Sequence, residues 1–357
     1  MSRHHYGARL HDYVSLGYRT IALENEIVRV EIVVDKGSDI TSFLHKPSDT
    51  DFMWHRETGL RRAPIDSVPR GTDESVFVDL YEGGWQECFP NGGESVLYKG
   101  ARLPFHGELL AATWDVDVRE DRPDVVSVRL SLRTMRTPFV LEKVVTLRAG
   151  AGVLQIDERV TNLADEEMEV MWGHHPAFGP PFLDASCRID LPPCTGTTDR
   201  AEPWPDSELA YGIPFVWPLA PRRDGGDRDL SAVPGPEARI SDWVRLTGFA
   251  EGWYGVTNTD RRVGFGLRWD AAVFPHLWFW HVFGGMRGYP WYGLNYNFAL
   301  EPWSSYPDGG LLRAIANGSA LRIGPRSVVE TRLFAVAYAG VAGISAIDAE
   351  GNVTGRD

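Results

Sequence analysis

The chain has 357 residues, 49 acidic against 36 basic, for a formal net charge of −13, which argues against nucleic-acid binding because phosphate contacts need a clustered positive surface. Apolar residues make up 43% and charged residues 24%, a balance that excludes wholesale disorder and supplies material for a large core. The excess is aromatic, with 13 Trp, 12 Tyr and 16 Phe.

The opening MSRHHYGARLHDY has no apolar h-region, and no uninterrupted apolar run reaches the roughly 18 residues of a membrane span. A cytoplasmic protein without membrane partners is therefore expected. Strand-type alternation begins with IVRVEIVV at 27–34 and returns in VVSVRLSLRT at 125–134, FVLEKVVTLRA at 139–149, VLQIDERVTN at 153–162 and MEVMWGHH at 168–175. Each run is bounded by Gly, Pro, Asn or Asp, and helical periodicity is scarce, so an all-β sandwich or barrel is predicted.

Between these runs lie segments of unusual chemistry. In GGWQECFPNGG at 83–93, glycines flank a polar and aromatic centre, as where backbone approaches a ligand closely; Trp85, Gln86, Glu87 and Asn91 are its candidate binding residues. PFHGE at 104–108 offers His106 and Glu108 and is followed by Trp114. WGHHPAFG at 172–179 places two histidines in succession on a strand. Adjacent strand residues point to opposite faces, so only one of them faces a given site. Pro176 predicts that the strand ends at His175, which marks His175 as the functional one and His174 as a packed neighbour.

The Pro/Gly-rich stretch at about 185–240 reads as a surface excursion within one domain spanning 1–357, because β patterning resumes at 243–269 without a new start signal. From Phe274 to Tyr306, 12 of 33 residues are aromatic. Indole N–H groups want partners, so core packing and the wall of a sugar site are equally good readings of Trp278, Trp280, Trp291 and Trp303. LEPWSSYP at 300–307 embeds Glu301 among apolar and aromatic neighbours, where a buried carboxylate has a raised pKa and can exchange protons near neutrality. Cys88, Cys187 and Cys194 have no CxxC spacing, so neither a disulfide framework nor a structural metal is expected. Nucleotide, zinc-protease and α/β-hydrolase motifs are absent as well.

Taken in order, these segments resemble the galactose mutarotase-like superfamily, the aldose 1-epimerases and their hexose-phosphate relatives. The similarity runs from ALENEIVRVEIVVDKGSDITSFLHKPSDTDFMW to the strand around 327–339 and covers most of the chain. The resemblance implies a large antiparallel β-sandwich (a supersandwich) that interconverts the anomers of a monosaccharide without cofactor or metal, as a monomer or homodimer. It also implies roles: His175 as general acid, Glu301 as general base and His106 holding the ring or anomeric oxygen; Trp85, Trp280 and Trp303 are the candidates for stacking on the sugar. Two departures leave the sugar open. Gly107-Glu108 stands where galactose mutarotases have Gly-Gly, and GGWQECFPNGG replaces their GRYANR-like segment together with its Arg. The GGxxxCFP string is closer to the hexose-6-phosphate branch, for which Arg61, Arg62 and Arg287 are the nearby cations. Other functions compatible with these residues are a non-catalytic sugar-binding protein and a glycoside hydrolase or lyase pairing Glu301 with Glu87 or Glu108.

Overall fold

A computed structural model describes residues 4–61, 73–198, 204–306 and 309–357; Arg62 lies outside them. Strand accounts for 52% and helix for 5%. Two antiparallel sheets pack face to face. In spatial order the first runs Arg9–Ser15, Tyr18–Glu24, Val28–Val33, Asp39–His45, Trp85–Cys88, Gly173–Phe178, Tyr296–Trp303, His276–Phe283, Ile240–Thr247, Thr195–Thr197 and Phe215–Val216, with Thr50–Asp51 paired to Asp39–His45. The second runs Cys187–Asp190, Gly252–Asn258, Val263–Trp269, Val328–Ala339, Val153–Asn162, Phe139–Arg148, Val125–Arg133 and Asp115–Arg122. This is the β-sandwich that the alternation predicted. Among the described residues no helix is long and apolar enough to cross a membrane.

The alternation sets the core. In Phe139–Arg148, Phe139, Leu141, Val145 and Leu147 point inward, and in Val153–Asn162 Leu154, Ile156 and Val160 do so. Lys143 and Glu158 occupy the inward position between them and lie opposite one another in the ladder. Lys143 Nζ donates to Glu87 Oε2 at 3.1 Å and lies 4.8 Å from the centroid of the Trp114 ring. Burial pushes the Glu87 carboxyl up, but Lys143, His174 and a hydrogen bond from Trp172 outweigh it and hold Glu87 below its ordinary value. Glu158 is raised, chiefly by burial.

Three differences from the sequence reading have clear causes. The 185–240 excursion is more than a surface loop: its Cys187–Asp190 strand closes the edge of the second sheet, and Thr195–Thr197 with Phe215–Val216 closes that of the first. The strand bearing the paired histidines does not stop at His175 but runs Gly173–Phe178, with Pro176 opposite Trp85. On its other side, toward Tyr296–Trp303, the registered pairs are Gly173↔Trp303 and then Ala177↔Ala299 and Phe178↔Phe298. The ladder is thus interrupted at 174–176, where proline has no N–H to give. Finally, a short helix, Asp73–Leu80, forms where no helix was foreseen and packs its Phe77 on the His106 loop.

Candidate active site

The outer face of the first sheet, the one turned away from the sandwich core, gathers the chemistry. Gln86 pairs with His175, and Glu301 pairs with Trp278. Directly opposed residues share a face, so Gln86, His175, Glu301 and Trp278 form a row across four neighbouring strands. Ile40 opposes Trp85, which places Asp39 opposite Gln86 at the end of that row. His175 Nε2 lies 3.4 Å from Glu301 Oε1, and both side chains are almost wholly buried. Trp303, two residues along on the same face, donates its Nε1–H to Glu301 Oε2 at 2.9 Å. Its indole stacks on Trp278 at 4.1 Å, with the planes 17° apart. Gly173 makes this close floor possible, since a Cβ there would meet Trp303 Cδ2 at 2.2 Å.

His106 comes to the same place from a loop. Its own φ is +57° and that of Gly107 is +87°, and a Cβ on Gly107 would meet Phe89 O at 2.1 Å, so glycine is required after this histidine. The Gly93 N–H donates to His106 Nδ1 at 3.0 Å, which leaves Nε2 as the protonated nitrogen of the neutral ring. The His106 and His175 ring centroids are 5.8 Å apart. Burial, reinforced by His175, holds His106 well below the ordinary histidine value, so it is a fixed hydrogen-bond donor rather than an acid. Burial pushes His175 down to about 4.

A cover closes the site. Phe77, in the Asp73–Leu80 helix, packs on His106 with centroids 4.7 Å apart. Tyr81 follows that helix and brings its hydroxyl within 3.4 Å of His175 Nδ1. Trp280 lies 5.7 Å from His175 and Trp291 lies 5.8 Å from Trp280. Arg56 ties the two parts of the cover together: its guanidinium donates to Val78 O at 2.7 Å, Tyr81 O at 3.3 Å and Pro290 O at 3.3 Å, and lies over the Trp291 ring. Beside Tyr81, Lys36 Nζ is 2.8 Å from carboxylate oxygens of both Asp39 and Glu82.

The structure thus brings His106, His175, Glu301, Gln86, Trp280 and Trp303 to one face and places the other candidates elsewhere. Trp85, Glu87 and His174 face the opposite way, into the sandwich: Trp85 Nε1 donates to His174 Nδ1 at 3.2 Å, His174 Nε2 meets Glu158 Oε2 at 3.0 Å, and Trp172 donates to Glu87 at 2.9 Å. Strand parity excludes all three from the site that holds His175. Glu108 accepts from Met135 N, Arg136 N and Thr137 Oγ1 and so braces a turn. Asn91 is consumed by loop backbone, donating to Glu94 O and Pro104 O and accepting from Leu311 N. Neither carboxylate considered as a hydrolytic partner, Glu87 or Glu108, confronts Glu301. Arg61 and Arg287 are exposed. Sequence reasoning missed Tyr81, Phe77 and Arg56, and the only local hint was the aromatic pair Phe77 and Tyr81 at helical spacing.

Residues 15–335 match the family model described as a domain of unknown function, DUF4432. A search of curated proteins gives no match. Among solved structures, the chain is similar to a Klebsiella pneumoniae protein described as a candidate aldose 1-epimerase, with 14% identity, 93% of this chain and 87% of that one covered, and a TM-score of 0.69. It is also similar to a galactose mutarotase-like protein from Clostridium acetobutylicum (13% identity, 94% and 99% covered, TM-score 0.61). A third is a galactose mutarotase related enzyme from Lactobacillus acidophilus (17% identity, 94% and 100% covered, TM-score 0.59). At these identities the likeness is one of fold, and the fold is galactose mutarotase-like.

Proposed function

Because the chain belongs to the DUF4432 family and has the galactose mutarotase-like fold, we propose that it is an aldose 1-epimerase, interconverting the α and β anomers of a monosaccharide. The observation that carries this reading is the 3.4 Å approach of His175 Nε2 to Glu301 Oε1 on an aromatic-walled face, with His106 beside them. Ring opening of a hemiacetal removes the proton from O1 and protonates the ring oxygen; rotation about C1–C2 and the reverse transfers give the other anomer. An imidazole and a carboxylate that share one exchangeable proton supply one base and one acid. With that proton on the imidazole, Glu301 accepts from O1 while His175 donates to the ring oxygen. The Nε2–H of His106 is a donor for one of the sugar oxygens. No net proton is gained or lost, which suits a site closed off from water. Trp280 lies 5.7 Å from the His175 ring, and Gln86 opposes His175 on the neighbouring strand with its side-chain N–H held by Gly83 O. Glu87 faces the core and Glu108 braces a turn, which favours anomerisation over two-carboxylate hydrolysis.

Freshly dissolved α-D-glucose, α-D-galactose and α-D-xylose, followed by polarimetry, test the reading. At least one should equilibrate at a rate proportional to enzyme concentration. If calorimetry detects a sugar binding whose anomerisation is not accelerated, the protein is a binding module instead.

The pH dependence follows from the pair. Since burial takes His175 down to about 4, the pair gains a proton on the imidazole only near pH 4. The enzymic part of kcat/KM should then stay level from pH 7 down to about 5 and fall roughly tenfold per unit below about 4. NMR exchange between anomers, corrected for the uncatalysed rate, measures it. A limb centred near the unperturbed histidine value of about 6.5 would contradict the buried, paired state of His175.

A further inference from the structure

We propose that Tyr81 is a positioning residue, delivered by the cover, that fixes the His175 imidazole so that Nε2 is the nitrogen exchanging protons with Glu301 and the sugar. The proposal rests on the anomerase reading for its kinetic consequence and on geometry alone for its structural one.

His175 has two ring nitrogens and needs a partner for each when buried. Nε2 faces Glu301 at 3.4 Å, and Nδ1 faces the Tyr81 hydroxyl at 3.4 Å. For Nε2 to be the nitrogen that exchanges, Nδ1 must keep its own proton in both states, and the Tyr81 hydroxyl oxygen is placed to accept from that Nδ1–H. The same contact therefore persists whether the imidazole is neutral or protonated, and the proton that moves is left to Nε2. Tyr81 transfers no proton and touches no reacting atom; it acts through His175.

The hydroxyl is well placed to hold direction. Tyr81 is 2% exposed, and its ring meets the His175 ring edge-on, with centroids 5.4 Å apart and the planes at 75°. Phe77 stacks on it at 5.5 Å, and Trp54 packs against it at 5.7 Å. Its carbonyl takes a hydrogen bond from Arg56, which also reaches the Trp291 side of the cover through Pro290 O. Ring and backbone are thus both held. Tyr81 and His175 are 94 residues apart in sequence, so it is the packing of the cover against the sheet that creates the pairing.

The test compares wild type with Tyr81→Phe, which deletes the hydroxyl and keeps the ring. In protein carrying 15N-labelled histidine, the His175 Nδ1 signal of the wild type should show a hydrogen-bonded nitrogen, and in Y81F it should shift, because the hydroxyl is gone and only the ring's contact with its own backbone remains. With whichever α-aldose the wild type equilibrates, Y81F should lower kcat about tenfold to a hundredfold, in the range seen when a partner that orients a reacting group is lost, with KM within about twofold and the thermal midpoint unchanged. A wild-type Nδ1 without a hydrogen bond, or an Nδ1 signal identical in Y81F, overturns the proposal whether or not the protein is an anomerase. An equal kcat in Y81F overturns its kinetic half. Failure of the wild type to accelerate any aldose would instead count against the function and leave the nitrogen measurement to decide on Tyr81.

Discussion

Replacing Glu301 with Gln should abolish most of the anomerisation while leaving the protein folded. Glutamine has the shape of the carboxylate, and its amide oxygen can still accept the Trp303 N–H that now reaches Oε2 at 2.9 Å. What it cannot do is take a proton from O1. A general base at this position is worth on the order of 10²–10⁴-fold, and a loss of that size should appear in kcat with the melting temperature and near-UV circular dichroism preserved. The environment sharpens the expectation. Glu301 is 2% exposed, so bulk water cannot readily deputise as base. Wild-type turnover in Glu301→Gln would mean that anomerisation occurs elsewhere on the molecule.

The second large effect is on stability. Lys143→Met should destabilise the fold by about 3–5 kcal/mol, the usual result of removing one partner from a buried ion pair. The lysine lies in the core face of Phe139–Arg148, donates to Glu87 and opposes Glu158 in the ladder. Without it two carboxyls remain between the sheets with a histidine and an indole N–H as their polar partners. Adding Glu87→Gln to Lys143→Met should recover a large part of the loss, because the stranded charge is then gone. Urea titration of the three proteins measures both steps. By contrast Arg159→Met, whose partner Glu330 is well exposed, should leave the midpoint where it is. If Lys143→Met behaves like Arg159→Met, the inward cluster contributes little to stability.

That cluster was legible in the sequence and was overlooked. FVLEKVVTL places Lys143 in the same alternating register as Phe139, Leu141, Val145 and Leu147, and VLQIDERV places Glu158 in register with Leu154, Ile156 and Val160. An ionisable residue at an inward position in each of two successive strands is the signature of a buried pair. The strands themselves were readable because period-two alternation is local. His106, His175 and Glu301 were reached through the order of their segments and their resemblance to a known family. Which of Trp85, Gln86 and Glu87 faces the site was not, because parity assigns faces only once the register between strands is known, and that register joins segments 89 residues apart, as in the Trp85–His174 contact. Tyr81 was invisible for a related reason: nothing in its neighbourhood says which surface the end of a short helix will cover.

Gly173–Phe178 presents His174 to the core and His175 to the site across the thickness of one backbone. A partition of this protein into a scaffold to be stabilised and a site to be left alone therefore has no physical boundary at this strand. Swapping Lys143, Glu87 and Glu158 for well-packed apolar residues is the kind of change that often strengthens a core, yet here it would also strip the polar partner from His174, the residue next to His175 on the same strand. Efforts to make the molecule hardier should begin at the outer strands, Asp115–Arg122 or Arg9–Ser15, which are remote from that shared wall.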